Sequence, residues 1–480
     1  MSDIVSTIIL GLATIPVTIG LVLFIGLVLH WGHNRERSLM PYIFYTTFLV
    51  LALDTILSGR VLNQQMGLDG MEVIENVTKH PLVTWLGRAN SLFILFSACE
   101  RIASRLLASG PKADIPVLLL ISIWAFFLTN VASPGFLSAH PQFTHEYLYV
   151  IIASTGAALL HEQEAKTVMI NARNALFIFI MLSAVLSVFH PDLTFKMNYT
   201  EGLIPGLNLR YYGLNSHANA FGPIVVVFLT CLWLYPYLTR WLNFLAWTIG
   251  LASLLLTQSK TSWIVMLLGM FCLGYFRYGD FFRQLFFDYK RPQFLAATLI
   301  LVMLSSVALA NVAMFTDTGD NIVTFFSTSE GGRVLSLTGR DQIWTIALQE
   351  WYRSPLFGYG LTLWDEQYRA QIGLAHAVSA HSQFYQSLSV AGIVGAVGLM
   401  IYFVTLFCAA LKTAKLTGGI SMALFLMILL RSLSEPAVIM DSFGPEVMSN
   451  LLIIMVMATH YGHQRVQNRV VTTLATGRFA

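Results

Sequence analysis

Two histidines stand where a long polar stretch meets a hydrophobic run, in the segment AHAVSAHSQFYQ (375–386). Histidine exchanges a proton near neutral pH, so either residue is a candidate general base. His381 follows His376 by five positions, a spacing that on a helix would point the two side chains roughly 140° apart. The nearest acids upstream are Asp365 and Glu366, and no HExxH pattern occurs here. A metal ion shared by the two histidines is therefore disfavoured.

Two interpretations of His381 stay open at this level. It is either a catalytic base at the membrane face, or a histidine that caps or flanks the helix that follows it. His376 has no assigned task beyond helping to shape the loop.

Four basic residues lie near the predicted outer ends of hydrophobic runs: Arg88, Arg210, Lys260 and Arg340. A charged side chain at that depth is costly unless it faces water or a partner, so each is a functional candidate. Together they suit an anionic ligand, and the planar fork of arginine matches two phosphate oxygens at once. A lipid-linked phosphate or pyrophosphate is the anion expected there. The structural alternative is that these side chains only extend to the interface.

Membrane helices must position these residues. Of the 480 residues, 56% are hydrophobic and 11% are charged, and the mean hydropathy is +0.67, whereas soluble domains carry about 25% charge. The net charge of +3 does not indicate nucleic-acid binding. All of the cysteines lie in hydrophobic runs, which predicts small buried apolar residues and neither disulfides nor zinc ligands. They are Cys99, Cys231, Cys272 and Cys408.

Thirteen hydrophobic runs approach the roughly 20 residues that a membrane span needs. They are 4–30, 39–59, 83–107, 115–133, 146–160, 174–190, 217–235, 241–257, 262–276, 294–314, 383–410, 418–432 and 446–461. We interpret the first as a span, because it has neither a basic leader nor a small-residue cleavage site. Lys and Arg recur in alternate loops, which predicts an outer N-terminus and a cytoplasmic C-terminus. The expected fold is an all-α polytopic membrane protein with about 12–14 transmembrane helices.

The predicted outer loop at 315–382 is the largest polar stretch of the chain. Residues 339–355 within it have the apolar spacing of an amphipathic helix that Pro355 ends. That apolar face consists of Trp344, Ala347, Leu348 and Trp351. The helix either lies at the membrane interface or packs on the bundle. A glycine turn, FGYG (357–360), and a second short helix in LTLWDEQYRA follow.

Several segments together resemble the signature region of the O-antigen ligase and Wzy-type polymerase superfamily. LTGRDQIW…ALQEWYRSPLFGYG and AHSQFYQSLSVAGIVG match its GR-x-x-x-W element, its P-x-x-G-x-G turn and its histidine-led span ending in a G-[IL]-[IV]-G turn. RYYGLNSHANAFG is similar to its R-x-x-G…N segment, and TQSKTSW to its S-[RK]-[TG] turn. The matches are spread over residues 207–395. LTGRDQIW with FGYGLTLW is most similar to exopolysaccharide polymerases of the ExoQ kind.

The resemblance implies a GT-C-type membrane glycosyltransferase that uses undecaprenyl pyrophosphate as glycan carrier at the periplasmic face of the bacterial inner membrane. Carried over residue by residue, it implies that Arg210 and Lys260 bind the pyrophosphate and that His381 is the base for the acceptor hydroxyl. Arg340 and Arg88 are further candidates for the pyrophosphate. Neither a cofactor nor a metal is expected, because pyrophosphate is already a good leaving group. A single displacement predicts inversion at the anomeric carbon.

The sequence departs from the superfamily pattern at two positions. Lys260 stands where arginine is usual, and Ser382 stands where the superfamily has asparagine after the histidine.

One integral membrane domain is expected, with four segments. These are the N-terminal helices (1–206), the central helices with the pyrophosphate-binding turns (207–314), the periplasmic loop (315–382) and the C-terminal helices (383–480).

Three functions are compatible with these observations. A polysaccharide polymerase would extend a lipid-linked repeat unit, and an O-antigen ligase would transfer the glycan to lipid A core or another acceptor. A secondary transporter of a lipid-linked saccharide is the alternative from another class, although no inverted repeat is evident. Expected partners are the undecaprenyl-pyrophosphate-linked oligosaccharide, the lipid bilayer, a chain-length regulator and export proteins, with no nucleic acid.

Overall fold

Apolar helices form most of the protein in the computed structural model. It describes residues 38–63, 80–107, 115–199, 204, 207–287, 292–315, 340–374 and 377–476, together with Gly26. The helices are α1 (Ile43–Leu57), α2 (Pro81–Leu107), α3 (Val117–Leu137), α4 (Tyr147–Ala158), α5 (Ala165–Phe189), α6 (Ala218–Leu234), α7 (Arg240–Leu256), α8 (Lys260–Phe287), α9 (Pro292–Phe315), α10 (Arg340–Arg353), α11 (Glu366–Ile372), α12 (Gln383–Ala414), α13 (Ile420–Ser432) and α14 (Pro445–Thr476). Short helical turns precede α1 and α5, and another spans Pro191–Thr194.

The helix positions confirm the all-α polytopic fold. The predicted span at 4–30 lies outside the described residues except for Gly26, and each of the other predicted runs coincides with a helix. Among the described residues, six helices are long and apolar enough to cross a membrane, and five apolar helices are shorter. Large apolar side chains point outward, as lipid contact requires. Examples are Leu128, Ile178, Phe271, Met400 and Val404. The chain is a multi-pass membrane protein.

The first half of α14 lies inside the bundle. Its apolar side chains between Val447 and Met457 are at most 1% exposed, and it packs against α4, α5 and α13. A helix that is apolar on all sides is normally enclosed by protein or lipid. Here the protein encloses it, so the predicted run at 446–461 is an inner helix.

A break divides α12 at Gly392, which has φ 66° and ψ −160°. The glycine turn before it supplies the missing backbone partners. The amide of Tyr359 donates to the carbonyl of Ser389 at 2.9 Å, and the amide of Ile393 donates to the carbonyl of Pro355 at 2.9 Å. Backbone groups at membrane depth must be satisfied within the protein. The predicted span at 383–410 coincides with α12, and its G-I-V-G segment contains this break, whose backbone groups bond to the preceding turn.

Gly358 is the residue of this turn that tolerates replacement least. Its φ is +70°, and a Cβ there would lie 2.4 Å from the carbonyl carbon of Val390. We expect Gly358→Ala to destabilise the protein by more than the roughly 1–2 kcal/mol of a left-handed alanine, because backbone cannot move aside. The measurement is the thermal unfolding midpoint in detergent. Gly373→Ala is the matched control, since Gly373 also has φ +70° but nothing lies within 4 Å of its Cβ. Equal midpoints for the two variants would contradict this packing.

The amphipathic helix predicted at 339–355 is confirmed as α10, but it buries a different face. The buried side chains are Ile343, Ala347 and Glu350. The indole of Trp344 donates to the carbonyl of Ala380 at 2.9 Å and its ring stacks on Tyr385 with centroids 4.8 Å apart. Of the two open interpretations, the structure shows that the Trp344 side of the helix packs on the start of α12. The second short helix is confirmed as α11.

All of the cysteines carry free thiols, so the prediction that they form no disulfide is confirmed. Cys231 and Cys272 are buried as expected. Cys99 and Cys408 are exposed, and the prediction of burial is wrong for both. Each lies on an outward face of an apolar helix, where the weakly polar thiol is compatible with lipid contact.

Candidate functional site

Arg210 lies on a two-stranded ribbon between α5 and α6. Strand β1 (Phe195–Met197) pairs antiparallel with β2 (Leu209–Tyr211), and Lys196 is directly opposite Arg210. Directly opposed residues project from the same face, and like charges there are unfavourable without a counter-ion. The ribbon therefore adds a second cation beside Arg210. Sequence reasoning missed Lys196, because only the strand register brings it to this position.

The guanidinium of Arg210 is buried among neutral groups; the residue is 9% exposed. Its Nε donates to the carbonyl of Thr257 at 3.1 Å, and its two terminal nitrogens donate to the hydroxyl of Tyr199 at 3.2 Å and to Oδ1 of Asn219 at 2.7 Å. The Tyr199 ring also lies 5.0 Å from the guanidinium. Within the described part of the chain, no carboxylate pairs with Arg210. A buried cation without a paired anion favours the binding of a negatively charged ligand.

Arg60 holds the segment that follows the ribbon. Its guanidinium donates to the carbonyls of Asn215 at 2.5 Å, Leu193 at 2.7 Å and Gly213 at 3.0 Å. Burial lowers the pKa of Arg60 to about 10. Through these bonds from its two terminal nitrogens, Arg60 connects the end of α1 to the segment that follows the ribbon.

Lys260 is the first residue of α8, after the tight turn that was predicted between two spans. Gln258 lies in this turn with φ +50°. The side-chain amide of Gln258 donates to the carbonyl of Leu209 at 2.6 Å. The turn is therefore attached to β2, next to Arg210. The ammonium group of Lys260 adds to the positive end of the α8 dipole.

His381 immediately precedes the N-cap residue of α12, Ser382. Its backbone has φ +45°, a region that non-glycine residues rarely adopt unless the surroundings hold them there. Its Nδ1 lies 2.8 Å from Oε2 of Glu435, and the two side chains are 23% and 18% exposed. His381 is thus a partly accessible histidine with a carboxylate partner.

Arg340 joins the same group. Its Nη2 lies 3.4 Å from Oε1 of Glu435. Burial by itself raises the pKa of the Glu435 carboxyl, but the hydrogen bond and charge of His381 and the charges of Arg340 and a second arginine outweigh it. The pKa of Glu435 is consequently below its ordinary value, and the carboxyl is ionised at neutral pH. That second arginine is Arg431. Nη2 of Arg431 lies 2.5 Å from Oε1 of Glu446.

Glu435 is presented by a short segment after α13. The amide of Glu435 donates to the carbonyl of Arg431 at 2.8 Å, and Pro436 prevents the helix from continuing. The amide of Val438 then donates to the side chain of Gln383 at 2.8 Å. The segment is thereby attached to the first turn of α12, beside His381.

One contact connects the part of the site around Arg210 and Lys260 to the part around His381 and Glu435. The hydroxyls of Thr261 and Ser434 lie 3.3 Å apart. Thr261 follows Lys260, and Ser434 precedes Glu435. A continuous series of contacts therefore runs from Arg210 through the 257–261 turn to Glu435 and His381.

The structure does not place the remaining predicted residues in this group. Arg88 is exposed on α2, its guanidinium 5.1 Å from the ring of Trp85, and α2 packs mainly on α1 and α4. The proposed binding of pyrophosphate by Arg88 stays a prediction. The same holds for Arg340, although Arg340 does lie in the group. The buried Nη1 of Arg340 has no hydrogen-bond partner in the described part of the chain. His376 lies outside the described residues.

Glu435 is the principal residue that sequence reasoning missed. A signal was present, since an ionisable residue directly after an apolar run is a functional candidate. Glu435 lies three residues beyond the predicted run 418–432.

The fold and these contacts define a polytopic all-α membrane protein with a basic, histidine-bearing site where the starts of α8, α10 and α12 meet the end of α13. The family model described as O-antigen ligase matches residues 244–400. This match confirms the resemblance of this segment to the O-antigen ligase and Wzy superfamily. It includes Lys260, Arg340 and His381, whereas Arg210 and Glu435 lie outside it. No curated protein matches the chain.

Proposed function

We propose that the protein is a polysaccharide polymerase. It transfers glycan from an undecaprenyl-pyrophosphate-linked donor to a hydroxyl of a lipid-linked repeat unit at the periplasmic face of the inner membrane. The superfamily match supports glycan transfer of the ligase and polymerase type. The observation that carries the proposal is the buried Arg210, whose partners among the described residues are neutral, joined by contacts to a histidine–carboxylate pair.

The cations act on the leaving group. Negative charge develops on the pyrophosphate as the glycosidic bond breaks, and preorganised donors stabilise that charge in a site of low dielectric. Arg210 and Lys260 bind the pyrophosphate in this proposal, with Arg340 and Arg88 as further ligands. Lys260 supplies a point charge, where arginine would supply a planar fork.

His381 acts on the acceptor. Its imidazole takes the proton of the sugar hydroxyl as the oxygen attacks the anomeric carbon from the face opposite the pyrophosphate. The product is inverted at that carbon, and neither a cofactor nor a metal takes part. The part of the outer loop that contains α10 packs on the start of α12, and in this proposal it limits hydrolysis.

The membrane orientation and partners belong to the same proposal. The N-terminus lies outside, the C-terminus lies in the cytoplasm, and the fold is of the GT-C type. Chain-length regulator and export proteins are the expected partners. Because the lipid-linked repeat unit serves as acceptor, the enzyme acts like the ExoQ kind of polymerase.

An O-antigen ligase is the second candidate, because the matched family model carries that description. A ligase would use the same donor and the same base, and would differ only in the acceptor.

The deciding experiment uses purified protein in lipid nanodiscs with the undecaprenyl-pyrophosphate-linked repeat unit of its own host, in the presence of EDTA and without an ion gradient. We expect a ladder of lengthened lipid-linked glycans on a sizing gel. A ladder that appears only without EDTA would contradict metal independence. Product formation that requires lipid A core would favour the ligase. The absence of any covalent product, together with movement of the donor across the membrane of proteoliposomes under an ion gradient, would favour the transporter.

A further inference from the structure

We propose that Glu435 is a positioning residue for His381: its carboxylate holds the Nδ1 proton of the imidazole and directs Nε2 toward the acceptor hydroxyl. This inference rests on the proposed function and adds to it a residue that lies outside the matched family segment.

The contact geometry assigns the tautomer. An ionised carboxylate accepts hydrogen bonds and donates none. Since Oε2 of Glu435 lies 2.8 Å from Nδ1 of His381, Nδ1 carries the proton and Nε2 keeps its lone pair. A ring nitrogen in that state accepts a proton, as a general base must.

The carboxylate is itself fixed on both sides. Oε1 receives Nη2 of Arg340 at 3.4 Å, while Oε2 receives His381. Arg340 begins α10, and the backbone amide of Glu435 is bound by the carbonyl of Arg431 at the end of α13. Three elements thus converge on one carboxylate.

The backbone of His381 is held as firmly as its ring. Its amide donates to the hydroxyl of Ser379 at 3.2 Å. The adjacent Ala380 donates to Gln386 at 2.9 Å and accepts from Trp344 at 2.9 Å. These bonds maintain the left-handed backbone that turns the imidazole toward Glu435.

Several charged side chains surround the pair of His381 and Glu435. Arg340 and Arg431 face Glu435, Glu446 neutralises Arg431, and Lys260 begins the helix whose next residue reaches Ser434. When the acceptor O–H bond breaks, the proton moves to Nε2 and the oxygen forms its bond to the anomeric carbon. The bond from that carbon to the pyrophosphate oxygen breaks, and the leaving group takes its electron pair. Glu435 then faces an imidazolium, which a carboxylate at this distance stabilises.

The decisive variant is Glu435→Gln, because glutamine keeps the shape and loses the charge. We expect kcat to fall by about 10²-fold, with the KM for the lipid-linked donor unchanged within about twofold. Glu435→Asp, which retains a carboxylate, recovers part of the loss. Glu366→Gln is the matched control, since Glu366 is an exposed carboxylate at the start of α11.

A second measurement separates this inference from the proposed function. Nitrogen NMR of the imidazole distinguishes the ring nitrogen that carries the proton from the one that keeps its lone pair, and the His381 signals are assigned by their absence in His381→Asn. We expect Nδ1 to carry the proton in the unaltered protein and the two tautomers to mix in Glu435→Ala, whether or not glycan transfer is observed. The same Nδ1-protonated tautomer in both proteins overturns the positioning role of Glu435. A change of tautomer in a protein that transfers no glycan supports the pair and refutes the proposed function.

Discussion

Replacement of His381 by asparagine is expected to lower the rate of glycan transfer by about 10²–10⁴-fold, the usual contribution of a general base. Asparagine tolerates the left-handed backbone of this position and can donate its amide to Glu435. It cannot take a proton from the acceptor hydroxyl. The fold should therefore survive while the chemistry fails, and donor affinity should not change.

The measurement for His381→Asn is the initial rate of ladder formation in nanodiscs, with the unfolding midpoint as a test of integrity. His145→Ala is the control, because His145 is exposed and lies in another loop, where its ring contacts Tyr149. A well-folded His381→Asn protein that makes polymer at the normal rate would refute the base assignment. Loss of activity in both variants would indicate a general disturbance of the outer loops.

Replacement of Arg210 by glutamine is expected to weaken binding of the lipid-linked donor by about 10–100-fold, since a hydrogen bond to a charged group contributes about 1.5–3 kcal/mol. Glutamine can still bond to Thr257 or Asn219, so the variant tests the charge more than the shape. Arg210→Lys keeps the charge and loses the planar fork. Its affinity should lie between those of Arg210→Gln and the unaltered protein.

Equilibrium binding of undecaprenyl pyrophosphate to nanodisc-held protein checks the Arg210 prediction. Arg240→Ala is the matched control, because Arg240 is exposed at the start of α7. If Arg210→Gln binds the lipid with unchanged affinity, the pyrophosphate assignment is wrong. The two variants should have different defects. His381→Asn should lower the rate of glycan transfer, and Arg210→Gln should weaken binding of the lipid-linked donor.

Local patterns predicted most of the helices. Runs of apolar residues long enough to enter a bilayer have no other stable form than helix, because lipid offers no partner for the backbone. The spacing in 339–355 predicted α10, but not its buried face. The predicted apolar face shares Ala347 with the buried side chains, which also include Ile343 and Glu350.

For the site, too, local sequence predicted some features and packing decided others. The amino-acid sequence by itself determined that the chain is a bundle of membrane helices, that Arg210 and Lys260 are cations near helix ends, and that His381 stands before an apolar run. These properties depend on composition and on neighbours a few residues away. The motif order was also sufficient to indicate the superfamily.

Only the tertiary structure decided which groups act together. Glu435 is 54 residues from His381 in the chain, and Lys196 reaches Arg210 only through the register of two short strands. The break in α12 is stabilised by a turn that precedes His381. Each of these contacts depends on how separate helices and loops pack, and side-chain periodicity within one segment does not contain that information. The charge balance of the site, an arginine among neutral groups beside a histidine held by a carboxylate, arises from that packing.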